Sequence, residues 1–347
     1  MRLTELAKVL GLPTLTVRRV LAGQAAQYRI PPEIVSRVQA EARVRGFGRQ
    51  QAHPARRRTA SRVARPPQAL APTVGVIVTD LSNPFFGSVT AAVEETMLAE
   101  GFLTLVATSR EHLEREKELV TELRARGAEG LVVAAAGPDH EHLHKLQEEG
   151  FPFVLLDRVF DDLECDWVVV ENQLAACHLC EALLARGATR IAFLGGQLAA
   201  STGRERLEGY RAALRRQHIP FDPGLIFKGE FSVASGRAGA EWLLKLKPPP
   251  AGVFCANNRI FLGCLQGLAG APKEPWASLP FACFDEIPLM EHLARPLVVV
   301  SQPERALGKR AAELLITRLR SRLTGPARMG KPYHQELLEV EKKAFGL

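Results

Sequence analysis

The chain lacks any uninterrupted apolar run near the roughly 18 residues that span a bilayer, and its first residues form a polar helix in place of a charged segment followed by an apolar stretch. No membrane association is expected, and the protein is expected in the cytoplasm. It also lacks a disulfide framework: its six cysteines, at 165, 177, 180, 255, 264 and 283, are scattered and mostly flanked by apolar residues, the pattern of buried reduced thiols. Cys177 and Cys180 form a C-x-x-C inside a helical stretch, without the second pair that a zinc site wants. No G-x-G-x-x-G following a strand, no phosphate-binding P-loop and no G-x-S-x-G stands in a suitable context. These absences argue against an enzyme and call for no cofactor and no metal.

Acidic residues are scarce in one place only. Residues 1–72 hold 14 Lys and Arg against 3 Asp and Glu, a net +11, while residues 73–347 hold 31 against 35, a net −4. The formal +7 therefore combines a basic head with a slightly acidic body, the segregation that phosphate neutralisation requires.

Within the head, Leu3, Leu6, Ala7 and Leu10 line one helical face and Val17, Val20 and Leu21 another, on two short helices around a turn at Gly11. That is the helix-turn-helix pattern, in which the second helix enters a DNA major groove. A third helix starts at Pro31-Pro32 and runs through Ile34, Val35, Val38 and Ala42 to Gly46. The DNA-binding domain is thus placed at 1–47, with candidate contacts at Thr4, Pro13, Thr14, Leu15, Thr16, Arg18, Arg19 and Arg29. Residues 48–72 read as a basic linker rich in Arg, Pro, Ala and Gln, where Arg56, Arg57, Arg58, Arg62 and Val63 are further candidates.

After Pro72 short apolar runs alternate with amphipathic stretches: 74–78, 102–107, 130–135, 153–156, 167–170, 191–194, 252–255 and 298–300. Such a pattern predicts parallel sheets covered on both faces by helices, and so many strands predict two doubly wound lobes. The body, 73–347, divides into a first lobe at about 73–169 and 303–325 and a second at about 170–302 and 326–347. His140-Glu141-His142-Leu143-His144 satisfies the H-E-x-x-H spacing of zinc proteases, but it sits on a polar amphipathic helix with no third ligand at the spacing of that class; a solvated face is the plainer reading.

Taken in order, Leu6-Ala7, Gly11-Leu12, Thr16-Val17, Arg19-Val20-Leu21, Ser82-Asn-Pro-Phe-Phe86, Leu156-Asp-Arg158, Arg190 to Gly196, Arg204 to Tyr210, Ala256-Asn257, Phe284-Asp285 and Gln302-Pro303 carry a resemblance to the LacI-type bacterial transcriptional regulators. The resemblance implies a periplasmic-binding-protein-like body whose lobes clamp a small effector, a homodimer formed through that body, and two heads on a palindromic operator. The function it implies is sequence-specific DNA binding, as a repressor whose operator affinity is set by a sugar-like effector. The residues implied to hold that effector are Asn83, Phe85, Phe86, Asp157, Arg158, Arg206, Phe231, Asn257, Asp285 and Gln302. They fall at carboxyl ends of predicted strands, where open α/β sheets bind ligands. Carboxylates and amides suit neighbouring hydroxyls, a guanidinium gives a rigid donor fork, and phenyl rings stack on a sugar's apolar face.

Asn83-Pro84 also makes a good helix start, Asp157 and Asp285 suit strand-end loops, and Arg204 competes with Arg206 as the contact. Three departures from the family stand out. Asn258 replaces the usual aspartate of Ala-Asn-Asp, Leu15 sits where polar base readers are common, and Pro54 with Arg56-Arg-Arg58 interrupts the family's hinge-helix register. A linker that grips DNA more by charge than by intercalation follows from the last, and a binding protein with only non-specific DNA affinity is the alternative function.

Overall fold

The computed structural model describes residues 3–23, 25, 28, 30–45, 71–271, 276, 278–293, 295–324 and 333–345. The chain divides into two compact units, Met1–Ala69 and Leu70–Leu347.

In the first unit α1 (Leu3–Leu10), α2 (Thr14–Leu21) and α3 (Pro32–Val44) close around Leu6, Ala7, Val17, Val20, Val38 and Ala42. Gly11 makes the turn with φ of +64°, a conformation that costs glycine little. Prolines at 13 and 31 end the preceding segments, and Pro32 occupies the first turn of α3, where its missing N–H is no loss. Leu21, expected to share the buried face of α2, is exposed instead; the packed stripe ends one position earlier, at Val20.

The second unit contains two sheets. The first is ordered β11-β5-β4-β3-β1-β2, with β1 Thr73–Val78, β2 Leu103–Thr108, β3 Ala128–Val133, β4 Phe153–Leu156, β5 Asp166–Val170 and β11 Gln335–Leu338. The second is ordered β12-β10-β9-β8-β6-β7, with β6 Ile191–Gly195, β7 Ile226–Lys228, β8 Gly252–Cys255, β9 Phe281–Phe284, β10 Leu297–Ser301 and β12 Glu341–Phe345. All pairings are parallel except β10 with β12. Central strands such as Val74–Val78 and Phe281–Phe284 are buried throughout, because helices cover both faces.

The helices of the body are α4 (Pro84–Ala99), α5 (Leu113–Ala125), α6 (Glu141–Glu148), α7 (Asn172–Leu184), α8 (Ser201–Arg216), α9 (Val233–Lys245), α10 (Asn258–Leu268) and α11 (Glu304–Thr324). The chain crosses between lobes three times: after β5 into α7, after β10 into α11, and between β11 and β12. The third crossing corrects the expected boundary, which gave all of 326–347 to the second lobe. Residues 335–338 add an edge strand to the first sheet beside β5. Asp166 explains the docking: its buried carboxylate accepts from Arg318 of α11 at 2.5 and 2.8 Å and from the His334 N–H at 2.7 Å.

Among the described residues no helix is long and apolar enough to cross a membrane.

Candidate functional site

In each lobe the first five strands in chain order are arranged second, first, third, fourth, fifth, so each sheet has a switch point beside its first strand, at β1/β3 and at β6/β8. Crevices at the carboxyl ends of strands there are where such sheets bind ligands. One cleft of about 370 Å³ lies at these ends, lined by Thr79, Asp80, Asn83, Phe85, Phe86, Glu111, Asp157, Arg158, Thr202, Arg206, Phe231, Asn257, Asp285 and Gln302. All ten residues proposed from the sequence as effector contacts are brought together in it.

Local chemistry fixes most of these side chains. Asn83 caps α4 by accepting from the Phe85 N–H at 3.2 Å, ahead of Pro84. Asn257 caps α10 by accepting from the Ile260 N–H at 2.9 Å. Both caps use the amide oxygen, and neither Nδ2 has a hydrogen bond among the described residues. Arg206 comes from the first turns of α8; its Nε donates to Asn172 Oδ1 at 3.0 Å, its Nη1 donates to the Ala256 carbonyl at 2.8 Å, and it lies 3.6 Å over the Phe284 ring. That leaves Nη2 for a ligand. Its competitor Arg204 turns outward to the Ala199 carbonyl. Phe231 also faces both cleft arginines, and a Cβ at Gly196 would lie 2.3 Å from its ring, so only glycine permits this seat.

Arg158 plays a different part from a simple ligand contact. Its Nη atoms grip Glu111 at 2.6 and 2.8 Å and the Ala135 carbonyl at 2.9 Å. Its buried Nε has no hydrogen bond and lies 3.7 Å from Asp157 Oδ2; Thr79 Oγ1 is likewise buried without a hydrogen bond. Buried polar atoms without a partner call for an explanation, and a ligand or water in the cleft supplies one here.

Asp157 and Asp285 both take left-handed backbone conformations, with φ of 65° and 70°. Strain of this kind persists where the surroundings demand it, and it concentrates at ligand sites. Burial pushes the Asp157 carboxyl up to about 6, against the opposing pull of Arg158 and Arg206. Burial also raises Asp285, offset by Arg206 and by the Gln302 amide, whose Nε2 donates to Oδ1 at 2.6 Å. The Arg206 guanidinium is held below its ordinary value by the same burial. The resulting surface offers carboxylate acceptors, amide and guanidinium donors and phenyl faces, suited to a compact polar molecule bearing several hydroxyls.

Sequence reasoning missed Thr79, Asp80, Glu111 and Thr202. Thr79 directly follows β1 and Asp80 comes next, so the strand-end rule that supports Asp157 applies to them as well. Glu111 lies in a loop with φ of 61°, and no local signal marks it.

In the head, Pro13, Thr14, Leu15 and Arg18 are exposed, and Thr16 and Arg19 are half-buried. The Arg19 guanidinium lies 3.7 Å over the Tyr28 ring, which limits its swing. The Thr4 side chain and Arg29, Arg56, Arg57, Arg58, Arg62 and Val63 lie outside the described residues.

Residues 71–333 match the family described as periplasmic binding proteins and sugar binding domain of LacI family, and the chain belongs to it. It is a LacI-type transcriptional regulator. Over 249 residues it is 28% identical to the ribose operon repressor of Haemophilus influenzae, covering 72% of this chain and 75% of that one. A LacI family transcriptional regulator from Enterococcus faecium, solved with bound ribose, superposes with a TM-score of 0.66 at 26% identity, covering 79% of this chain and 98% of that one. A transcriptional regulator, CelR, solved with cellobiose superposes with a TM-score of 0.69 over 99% of this chain and 98% of that one; at 22% identity it speaks to the fold.

Proposed function

We propose that this regulator is a repressor whose effector is a sugar-like polyhydroxylated molecule held between the lobes. The observation that carries the reading is the convergence of Asp157 and Asp285, both buried and both left-handed, with Arg206 and Asn257 on a single cleft. Asp157 and Asp285 accept from ligand hydroxyls, Arg206 Nη2 and the two Nδ2 groups donate, and Phe85, Phe86 and Phe231 cover the apolar face. Arg158 positions Asp157 more than it binds.

The protein acts as a cytoplasmic homodimer. Leu98 of α4 and Leu103, Leu105 and Val106 of the edge strand β2 are exposed apolar side chains, and a sheet edge left open beside them invites a second copy. Two heads then read a palindromic operator with Thr14, Leu15, Thr16, Arg18 and Arg19 of α2, with Leu15 suited to a thymine methyl, while the arginines of the linker supply phosphate contacts. An effector that binds one lobe arrangement better changes operator affinity by that differential and no more.

Selection of duplexes from a random DNA pool by the full-length protein at near-physiological salt tests the reading. An enriched palindrome supports it; recovery without sequence preference overturns it in favour of a binding protein with charge-driven DNA affinity. A calorimetric screen of pentoses, hexoses and nucleosides against the same protein then identifies the effector class.

A further inference from the structure

The first lobe carries a second cluster of polar groups that the cleft does not use. His140 immediately precedes α6 and His144 lies one turn along, with ring centroids 4.9 Å apart. Asp162, in the loop between β4 and β5, places Oδ1 2.8 Å from His140 Nε2. Ligand atoms from all three residues lie within 4.8 Å of one another.

The hydrogen bonding around His140 narrows what this contact is. Its Nδ1 lies 3.1 Å from the Pro138 carbonyl. A carbonyl only accepts, so Nδ1 carries the proton, and in a neutral ring Nε2 is then a bare lone pair. Nε2 is buried and has no hydrogen-bond partner, and the Asp162 carboxylate oxygen 2.8 Å away lies off the line of the ring nitrogen. Its lone pair is therefore left for a ligand that the surrounding protein does not supply. Phe160 stacks on the imidazole at 4.0 Å and sets its plane. A backbone carbonyl bonded to the far ring nitrogen and a fixed ring orientation are the outer-shell features of metal-binding histidines.

Neighbouring charges are otherwise spoken for. Lys117 pairs with Asp139 and Glu114, Glu141 pairs with Lys145, and His142 Nε2 contacts the buried Glu116. Glu141, the base that the H-E-x-x-H pattern would need, thus faces Lys145 and is not organised for hydrolysis. The third ligand missing from the linear pattern comes from Asp162, about one and a half dozen residues downstream on another loop, too far for a spacing rule.

We propose that His140, His144 and Asp162 bind one divalent transition-metal ion, with water completing the coordination. Two imidazoles and a carboxylate suit zinc, nickel or copper over calcium or magnesium. With bonds of about 2.1 Å, opposite ligands sit at most about 4.2 Å apart, so three ligand atoms within 4.8 Å of one another need only a small closing movement to share an ion. The loop it would clamp begins at Asp157 and Arg158 of the cleft and touches the second lobe through the Val159 N–H, which donates to Ser201 Oγ at 3.1 Å.

The test is titration of chelator-stripped full-length protein with Zn²⁺ against a chromophoric chelator. One ion per chain is expected, with affinity lowered about tenfold or more in both His144→Asn and Asp162→Asn. Both variants are expected to keep the parent's cooperative thermal transition, since Asp162 is exposed and His144 half-buried. If the parent binds no zinc, the proposal fails. Equal binding by parent and both variants places the ion elsewhere and overturns it too.

Discussion

At the end of β4 the chain turns through Asp157, and at the end of β9 through Asp285, in matching positions of the two sheets. Each backbone N–H donates across to the neighbouring strand, Asp157 to the Val168 carbonyl at 3.2 Å and Asp285 to the Val300 carbonyl at 2.9 Å. The surroundings differ. In the first lobe Arg158 follows, tied down by Glu111, and the carboxyl is pushed up to about 6 by burial. In the second lobe Gln302 holds the carboxylate directly, from the crossing between β10 and α11. The same turn therefore serves two ends: one acid tuned by burial, and one wired to a crossing segment. The second is the better placed to transmit lobe movement.

The largest way to break this comparison is Asp285→Ala. Loss of two charge-assisted hydrogen bonds to the ligand, together with the anchor for Gln302, is expected to cost about 3 kcal/mol, roughly 100-fold in effector affinity by calorimetry. DNA binding without effector should be spared, and a variant that still responds normally to effector would sink the site assignment.

Asp157→Asn should weaken effector binding about tenfold at pH 7.5, one charged hydrogen bond's worth. It should also flatten the pH dependence. The ionised carboxyl accepts from two hydroxyls and the protonated one from fewer, so the parent's affinity rises as pH climbs through about 6, whereas the amide titrates nowhere.

Stability without effector should run the other way. A carboxyl raised above its ordinary value keeps a proton in the folded protein that the unfolded chain has already released, so it costs stability as pH rises from about 4 to about 6 and no further beyond. Glu304, pushed up to about 7 by burial and by Asp285, extends that window upward. Asp157→Asn should then gain a few degrees in melting temperature over the parent at pH 7 and little at pH 4, by differential scanning calorimetry. An equal difference at both pH values would dismiss the burial argument.

The smallest effect concerns Asn258. Its Nδ2 donates to Asn83 Oδ1 at 2.9 Å, bridging the lobes, and to the Glu286 carbonyl at 3.1 Å. Restoring the aspartate usual in the family puts an acceptor against an acceptor. Asn258→Asp should open the unliganded cleft and weaken effector binding a few-fold, about 1 kcal/mol. Small-angle scattering of the unliganded body would register the opening, and an unchanged radius of gyration would count against it.

Much of this was legible in the sequence because the strands are short, apolar and buried on both faces, and because the site sits where such strands end. Val74–Val78 and Ile191–Leu194 announce themselves by composition and Asp157 by the strand it follows, whereas Phe281–Phe284 is not among the apolar runs read as strands and Asp285 comes from the family resemblance. The two C-terminal edge strands were not legible: Gln335–Leu338 and Glu341–Phe345 are polar and half-exposed, so they carry no apolar run, and only their partners β5 and β10 define them. Glu111 escaped for a related reason, since its role depends on Arg158, 47 residues away. The departure at Asn258 was visible, but its meaning rests on a partner 175 residues distant.

The third crossing between lobes bears on how such proteins can be recombined. The first lobe is assembled from 73–170, 304–324 and 335–338, and the second from 172–301 and 341–345, so neither lobe is one stretch of gene. A single cut inside the body strands part of a sheet on the wrong fragment, down to the last dozen residues. Exchange of parts therefore has its natural seam ahead of Leu70, where one unit ends and the next begins. A new head on an intact body is the cassette that the chain's own layout permits, and new sensing must come by changing side chains in place.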